Sequence, residues 1–303
     1  MIWRNISILI LFFLLSGSTC EREVELTLPE PPKRLVIYST FADNQKVHVQ
    51  LSSSRFVLEE TQGEYLPGAL VEIFRGEDFI EKLELQIPGD RETPFYSTID
   101  FTPIIGQKYT VKAFLDGFDP VQAESSIPIP NKLSSFAIED LIVTTTENRK
   151  IYKYKLNLKI DDPEGEKNYY HLKISQQIFI KLIGSDQENS EITAYQFSTD
   201  FDANDILANI SGGLLLEDDA LRGNYTFSLE HIINPDIERI GKVFVELRTV
   251  SRDYYLFHSS VTRQRKSPGG LLTEPVFIYN NVENGHGVFA GYSTYQDSLF
   301  VIE

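Results

Sequence analysis

The chain has 303 residues and a formal net charge of −16, with hydrophobic and aromatic fractions of 42% and 12%. This composition supports a packed core rather than disorder, and the acidic charge excludes a broad basic surface for nucleic acid. After the N-terminal apolar run, no segment approaches the ~20 apolar residues that cross a bilayer as a helix. Because the sequence has one cysteine, an intrachain disulfide cannot contribute to stability.

The N-terminus has the pattern of a signal peptide. A short charged start precedes an apolar run at 6–15, which is too short for a membrane span, and small residues follow it. Cys20 lies at this point and resembles the lipid-bearing N-terminus of a bacterial lipoprotein, where the thioether requires a thiol. We therefore expect residues 1–19 to be a signal peptide and Cys20 to be lipidated. The alternative is a secreted protein with a coincidental cysteine, and the size of Thr19 favours it.

The first half of the remaining chain predicts β structure. Residues 20–32 combine charge with clustered proline and are expected to form an extended, acidic tether. Beyond them, short alternating segments recur about every ten residues between turn signals, which is typical of a β-sandwich. We predict an immunoglobulin-like β-sandwich over residues 33–128 and a proline-containing linker at 129–132. The predicted strands lie at 35–38, 47–51, 69–74, 79–85, 95–101, 108–114 and 121–127.

The second half, residues 133–303, predicts another β-rich domain with one or two short helices. The segment 201–209 is a helix candidate with Asp202 as its N-cap, and 252–265 is the stronger candidate, ended by Pro268. Alternation of apolar and polar residues is clearest at 151–160, which indicates a strand with one wet face. The other predicted strands lie at 136–145, 168–174, 225–229, 243–250, 275–279, 287–292 and 298–302.

Sequence motifs for catalysis and cofactor binding are absent. There is no Gly-x-Ser-x-Gly elbow, no His-Glu-x-x-His, no phosphate-binding loop, and no metal-like spacing among the five histidines. The acidic stretch at 200–205 lacks two residues that a calcium loop needs, because Asp205 and Ser211 occupy the glycine and glutamate positions. No pair among the 44 acidic residues stands out as a glycosidase pair. We therefore expect no metal, no cofactor and no enzymatic activity.

Two short segments are candidates for contact with a ligand or partner. The glycines of Gly285, His286 and Gly287 suit a tight turn or bulge between strands, and the functional alternative is a docking loop. Tyr254 and Tyr255 suit core packing at the start of a helix, and the alternative is an exposed aromatic platform. In both segments the residue types favour the structural interpretation.

Segments spread over nearly the whole chain share features with one known family. They are the acidic residues after Cys20, the proline cluster at 30–32, and the segments 51–55, 68–73, 106–118, 162–170 and 280–293. Together they resemble the domain-of-unknown-function 4249 family of Bacteroidota outer-membrane lipoproteins. That family has no assigned chemistry, and its genes commonly lie beside SusC-type TonB-dependent receptors.

The resemblance implies a surface-exposed outer-membrane lipoprotein, anchored by its lipid and facing the cell exterior. It would be a non-enzymatic accessory or binding subunit associated with a TonB-dependent β-barrel in nutrient uptake. One alternative is a structural or assembly lipoprotein of a cell-envelope complex with no ligand of its own. Another is a hydrolase of surface polysaccharide.

Overall fold

The structure is a computed structural model in which residues Lys33–Glu303 form one compact unit. It describes residues 31–56, 64–89, 92–163, 165–182, 187–196, 206–209, 211–217, 225–267 and 276–302. The predicted signal peptide, Cys20, most of the predicted tether, and the acidic stretch with Asp202 lie outside the described residues.

The described chain is built mostly of β-strands. The first eight strands are β1 Leu35–Ala42, β2 His48–Ser53, β3 Leu70–Arg75, β4 Asp78–Lys82, β5 Glu84–Gln86, β6 Phe95–Ser97, β7 Lys108–Phe114 and β8 Val121–Ser126. The next eight are β9 Leu133–Thr145, β10 Lys150–Ile160, β11 Tyr169–Lys181, β12 Glu188–Ala194, β13 Ile206–Ala208, β14 Leu214–Glu217, β15 Tyr225–Ile233 and β16 Glu238–Val250. Helix α1 Arg252–Lys266, β17 Val282–Glu283 and β18 His286–Phe300 complete the chain.

The largest sheet runs through both halves of the chain. Its strand order is β13-β14-β11-β16-β18-β1-β2-β6-β5, and β12 also pairs with β11. The halves are joined where β18 pairs in parallel with β1, with Val36 opposite His286 and Ala42 opposite Tyr292. On its other side β18 pairs antiparallel with β16. We call this ten-stranded assembly the continuous sheet.

Two smaller sheets complete two β-sandwiches. One has the order β17-β8-β7-β3-β4, and the other has the order β15-β10-β9. Each sandwich core takes residues from the continuous sheet and from one smaller sheet. The first core includes Ile37, Val111 and Phe289. The second core includes Leu156 and Leu247. Both cores therefore lie against the same continuous sheet, whose strands alternate between a buried face and an outer face.

Helix α1 confirms one of the two predicted helices. Its N-cap is Ser251, whose side chain accepts a hydrogen bond from the Tyr254 backbone N–H. The other prediction is wrong where the structure describes it, because Ile206–Ala208 is strand β13 and pairs with β14. Pairing with the buried residues of β14 outweighs the local helix signal there. No helix in the described part of the chain is long and apolar enough to cross a membrane.

The predicted fold class is confirmed: the protein is mostly β, with a sandwich in the N-terminal half and a second β-rich half that carries a helix. The domain boundary at 129–132 stays a prediction. The end of the chain contributes to the N-terminal sandwich, since Val282 pairs with Ala123 and the Phe289 ring stacks 4.4 Å from that of Phe41. The two halves are therefore joined by more than the linker.

Candidate functional site

The outer face of the continuous sheet is the surface that the two smaller sheets leave uncovered. On β18, Phe289 points into the first sandwich, whereas Val288, Ala290 and Tyr292 belong to a third apolar cluster that includes residues of α1. Successive side chains of a strand point to opposite faces. Helix α1 therefore packs on the outer face, near the junction of the two halves.

The structure places the two predicted tyrosines beneath this helix. Tyr254 is 2% exposed and its hydroxyl lies 2.9 Å from Nδ1 of His171. Tyr255 is 5% exposed and its ring stacks on Tyr169 at 4.7 Å between centroids. Core packing at the start of a helix is confirmed, and an exposed platform is wrong for both residues.

The glycine segment covers the end of the turn between β17 and β18, at Gly285, and the first two residues of β18, His286 and Gly287. Gly287 has φ +111°, and a Cβ on it would lie 1.8 Å from the carbonyl oxygen of Ile37. Glycine is therefore required for the close parallel approach of β18 to β1. A Cβ on Gly285 would lie 2.6 Å from the Leu35 carbonyl oxygen, and His286 is exposed between them. The structural interpretation of Gly285 and Gly287 is confirmed, and contact of His286 with a partner stays a prediction.

The described surface contains an open cleft that the sequence patterns did not reveal. Its volume is about 510 Å³, and it lies on the outer face of β1, β2 and β6. It is lined by Tyr38, Ser39, Thr40, His48, Gln50, Pro88, Glu92, Thr93 and Phe95. We call it the outer cleft.

Strand alternation explains why polar and aromatic side chains meet in the outer cleft. Ile37 and Val49 fill the sandwich core, so their neighbours Tyr38, His48 and Gln50 point outward. Antiparallel pairing of β1 and β2 then sets Tyr38 opposite Gln50. The cleft floor is thus a rigid sheet, which suits a preformed binding site.

Two aromatic contacts bound the outer cleft. The Tyr38 ring is 40% exposed and lies 5.9 Å from the Phe257 ring of α1. The His48 ring lies 4.6 Å from the Phe95 ring on β6. Aromatic faces, an amide and hydroxyl groups therefore converge where α1 meets the sheet, and these groups hold polar organic ligands by stacking and hydrogen bonding.

The electrostatics of the outer cleft favour neutral hydrogen-bonding groups. Burial raises the pKa of Tyr38, and the nearby charge of Arg248 opposes the rise only in part. Burial lowers the pKa of His48, and the charge of Lys46 lowers it further, so both effects favour the neutral imidazole. Among the described residues of the lining, Glu92 supplies a carboxylate. Across the residues that the structure describes, no three His, Cys, Asp or Glu side chains are grouped to hold a metal ion.

Comparisons with known proteins give a family but no activity. A family model described as "Domain of unknown function (DUF4249)" matches residues 21–298. A search of curated proteins finds no match. The solved structure of titin domains A168–A170 is similar at 10% identity, covering 90% of this chain and 68% of the titin chain. Its TM-score of 0.22 is too low to support an argument about fold or function.

Proposed function

The chain belongs to the DUF4249 family, and we propose that it is a non-enzymatic binding protein whose ligand occupies the outer cleft. The full proposal is a lipoprotein, attached through Cys20 to the outer face of the outer membrane. There it serves as an accessory subunit of a SusC-type TonB-dependent receptor in nutrient uptake. The anchor and the receptor are proposed from the lipobox-like sequence and the family resemblance.

The outer cleft is the observation that carries the binding proposal. It measures about 510 Å³, within the range typical of small-molecule sites, and its floor is a paired sheet. Two aromatic contacts and several neutral hydrogen-bonding groups surround it. A site of this kind can hold and orient a polar organic ligand without catalysing a reaction on it, which is the task of a capture subunit.

The predicted tether, residues 20–32, is long enough for the protein to reach a neighbouring β-barrel. If residues 20–32 are extended as a proline-rich chain, they span roughly 40 Å at about 3.1 Å per residue. A diacylglyceryl group on Cys20 would provide two acyl chains, enough for stable anchoring. The protein would then reach a neighbouring β-barrel while it stays attached to the membrane.

To test this function, tagged protein is purified from its native membranes. Co-purified proteins and bound small molecules are then identified by mass spectrometry. Thr40→Lys places a long cationic side chain in the outer cleft, and Thr144→Lys makes the same change on exposed strand β9. We expect ligand occupancy to fall about tenfold in Thr40→Lys and to persist in Thr144→Lys.

A Cys20→Ala variant tests the anchor and the partner. We expect it to leave the membrane fraction and to lose a β-barrel that co-purifies with the wild-type protein. A barrel partner without any bound molecule would support the structural or assembly role instead. Absence of both the barrel and a ligand from the wild-type preparation would overturn the proposed function.

A further inference from the structure

The polar side chains on the floor of the outer cleft have no hydrogen-bond partners among the described residues. Tyr38 and Thr40 lie on β1, and His48 and Gln50 lie on β2, all on the outer face of the continuous sheet. None of these four side chains forms a hydrogen bond with another residue in the part of the chain that the structure describes. Their hydrogen-bonding groups are therefore available to a ligand, on a floor that the pairing of β1 with β2 holds in place.

The solvent-facing side of the three-stranded sheet β15-β10-β9 provides a comparison. There Asn157 lies opposite Thr226, and the hydroxyl of Thr226 donates to Oδ1 of Asn157 at 2.6 Å. Such pairing between directly opposed side chains is a usual feature of sheets. In the outer cleft, Tyr38 lies opposite Gln50 in the same way, and no hydrogen bond joins their side chains. The cleft floor thus differs from a sheet surface whose polar side chains satisfy each other.

A row of three side chains crosses this floor. Tyr38 on β1 lies opposite Gln50 on β2. The pairing of β2 with β6 sets Val49 opposite Tyr96, so one step along both strands brings Gln50 level with Phe95. Two strand spacings of about 4.8 Å separate the strands of the outer two side chains by roughly 10 Å. The row therefore places an amide between two aromatic side chains, across the width of the cleft.

The chemistry of this row matches a ligand rich in hydroxyl groups. The hydroxyls of Tyr38 and Thr40 and the amide of Gln50 can each both donate and accept a hydrogen bond. Ligand hydroxyls do the same, so each can pair with any of these groups. A sugar ring also presents a face of C–H groups, which packs on an aromatic ring by apolar contact. Tyr38, whose side chain is 40% exposed, and Phe95 lie where such a face can rest.

The charges around the outer cleft favour an uncharged ligand. The described residues of the lining include no Lys or Arg that would pair with an acidic group, and the formal charge of −16 on the whole chain repels a polyanion. The positive charge of Lys46 lowers the pKa of His48, and the same charge disfavours an amine at that end of the cleft. The Glu92 carboxylate can accept hydrogen bonds from ligand hydroxyls.

We propose that the ligand of the outer cleft is an uncharged carbohydrate, held between the aromatic side chains of Tyr38 and Phe95 and hydrogen-bonded by Gln50 and Thr40. This inference rests on the proposed function, because it names the class of ligand for the same site. The aromatic side chains pack on the C–H faces of the sugar, and the amide and the hydroxyl bind its rim. Charged sugars and peptides are the competing classes of ligand.

The test records saturation-transfer NMR spectra of the membrane-purified protein, in a detergent without a sugar headgroup. The probes are neutral oligosaccharides of glucose, mannose, galactose and xylose, oligogalacturonate, and a mixture of tripeptides. We expect signals from a neutral oligosaccharide, with affinity about tenfold lower in Tyr38→Ala and only about threefold lower in Tyr38→Phe, which keeps the ring. The matched control is Phe79→Ala, which removes a 56% exposed aromatic side chain from another sheet and should bind like wild type.

The outcomes separate this inference from the proposed function. Binding of oligogalacturonate or tripeptides, lost in Tyr38→Ala, with no signal from the neutral sugars would overturn the carbohydrate and leave the outer cleft as a binding site. Binding of a neutral sugar with equal affinity in wild type and Tyr38→Ala would place the sugar elsewhere and overturn the inference. If no probe binds and the membrane-purified protein carries no small molecule, both the inference and ligand capture by the outer cleft fail.

Discussion

The two faces of the continuous sheet differ in what covers their polar groups. On the buried face, the Tyr154 hydroxyl donates to Oε1 of Gln176, and Nε2 of Gln176 donates to backbone carbonyls, so the pair is internally satisfied. On the outer face, α1 covers a group in which the buried Nε2 of His258 has no partner. The buried face likewise holds two hydroxyls without a partner, those of Ser39 and Ser293, so the faces differ instead in what covers them, which is a second sheet on one side and helix α1 on the other.

The first prediction compares two phenylalanines of β18 on opposite faces. Phe289 is fully buried against Phe41, whereas Phe300 is 57% exposed beneath the ammonium of Lys242. We expect Phe289→Ala to lower the free energy of unfolding by about 3–5 kcal/mol because it opens a core cavity. Phe300→Ala should cost about 1 kcal/mol or less, the size of an exposed cation–π contact. Urea unfolding of both variants checks this, and similar losses would contradict the assignment of the faces.

The second prediction concerns acid sensitivity of the group under α1. Burial lowers the pKa of His171 from 6.5 to about 3, so the folded protein keeps this ring neutral while the unfolded chain protonates it below about pH 6.5. Its contribution to stability is complete above that pH and is lost progressively as the pH falls towards 3. Between pH 7 and pH 5 we expect a loss of about 2 kcal/mol from this histidine.

The matched protein is His171→Gln, which retains a donor for the Gly212 carbonyl and cannot titrate. Urea unfolding at several pH values should show that its stability falls by about 2 kcal/mol less than that of wild type between pH 7 and pH 5. Any remaining loss belongs to other groups, including His258. Parallel pH profiles for the two proteins would show that His171 does not control this acid sensitivity.

The third prediction has the smallest effect and compares two tyrosine hydroxyls. Tyr254→Phe removes the proton donor to the buried Nδ1 of His171, and Tyr295→Phe removes a hydroxyl that lies 3.2 Å from Oδ2 of Asp297. We expect a loss of about 1 kcal/mol for the first change, because a buried acceptor is left unpaired. The second should cost less than about 0.5 kcal/mol, measured by the same urea titration. A larger loss of stability in Tyr295→Phe than in Tyr254→Phe would contradict this prediction.

Local patterns predicted the elements well where one face of a strand is buried. Alternation at 151–160 anticipated β10 to within one residue, and the apolar residues near 252–265 anticipated α1. The helix predicted at 201–209 was wrong at Ile206–Ala208, because pairing with β14 is a long-range contact that a local window does not contain. Tyr254 and Tyr255 were correctly predicted as packing residues, since their spacing placed them at the start of a helix.

The outer cleft could not be predicted, for one physical reason. Tyr38, Gln50 and Phe95 come together only through the pairing of β1, β2 and β6. Their separations along the chain carry no periodic signal. Each residue, taken alone, is an ordinary polar or aromatic side chain on the solvent-facing side of a strand.

The sequence by itself determined the β class, most strands, the principal helix, and the glycines required where β18 begins, because these follow from alternation, capping and backbone sterics within short segments. Tertiary structure alone decided that β18 pairs in parallel with β1, that one sheet therefore runs through both halves, and that α1 packs across its outer face. Those contacts join residues up to about 250 positions apart, as with Val36 and His286. They set which polar side chains are enclosed and which ones line the outer cleft.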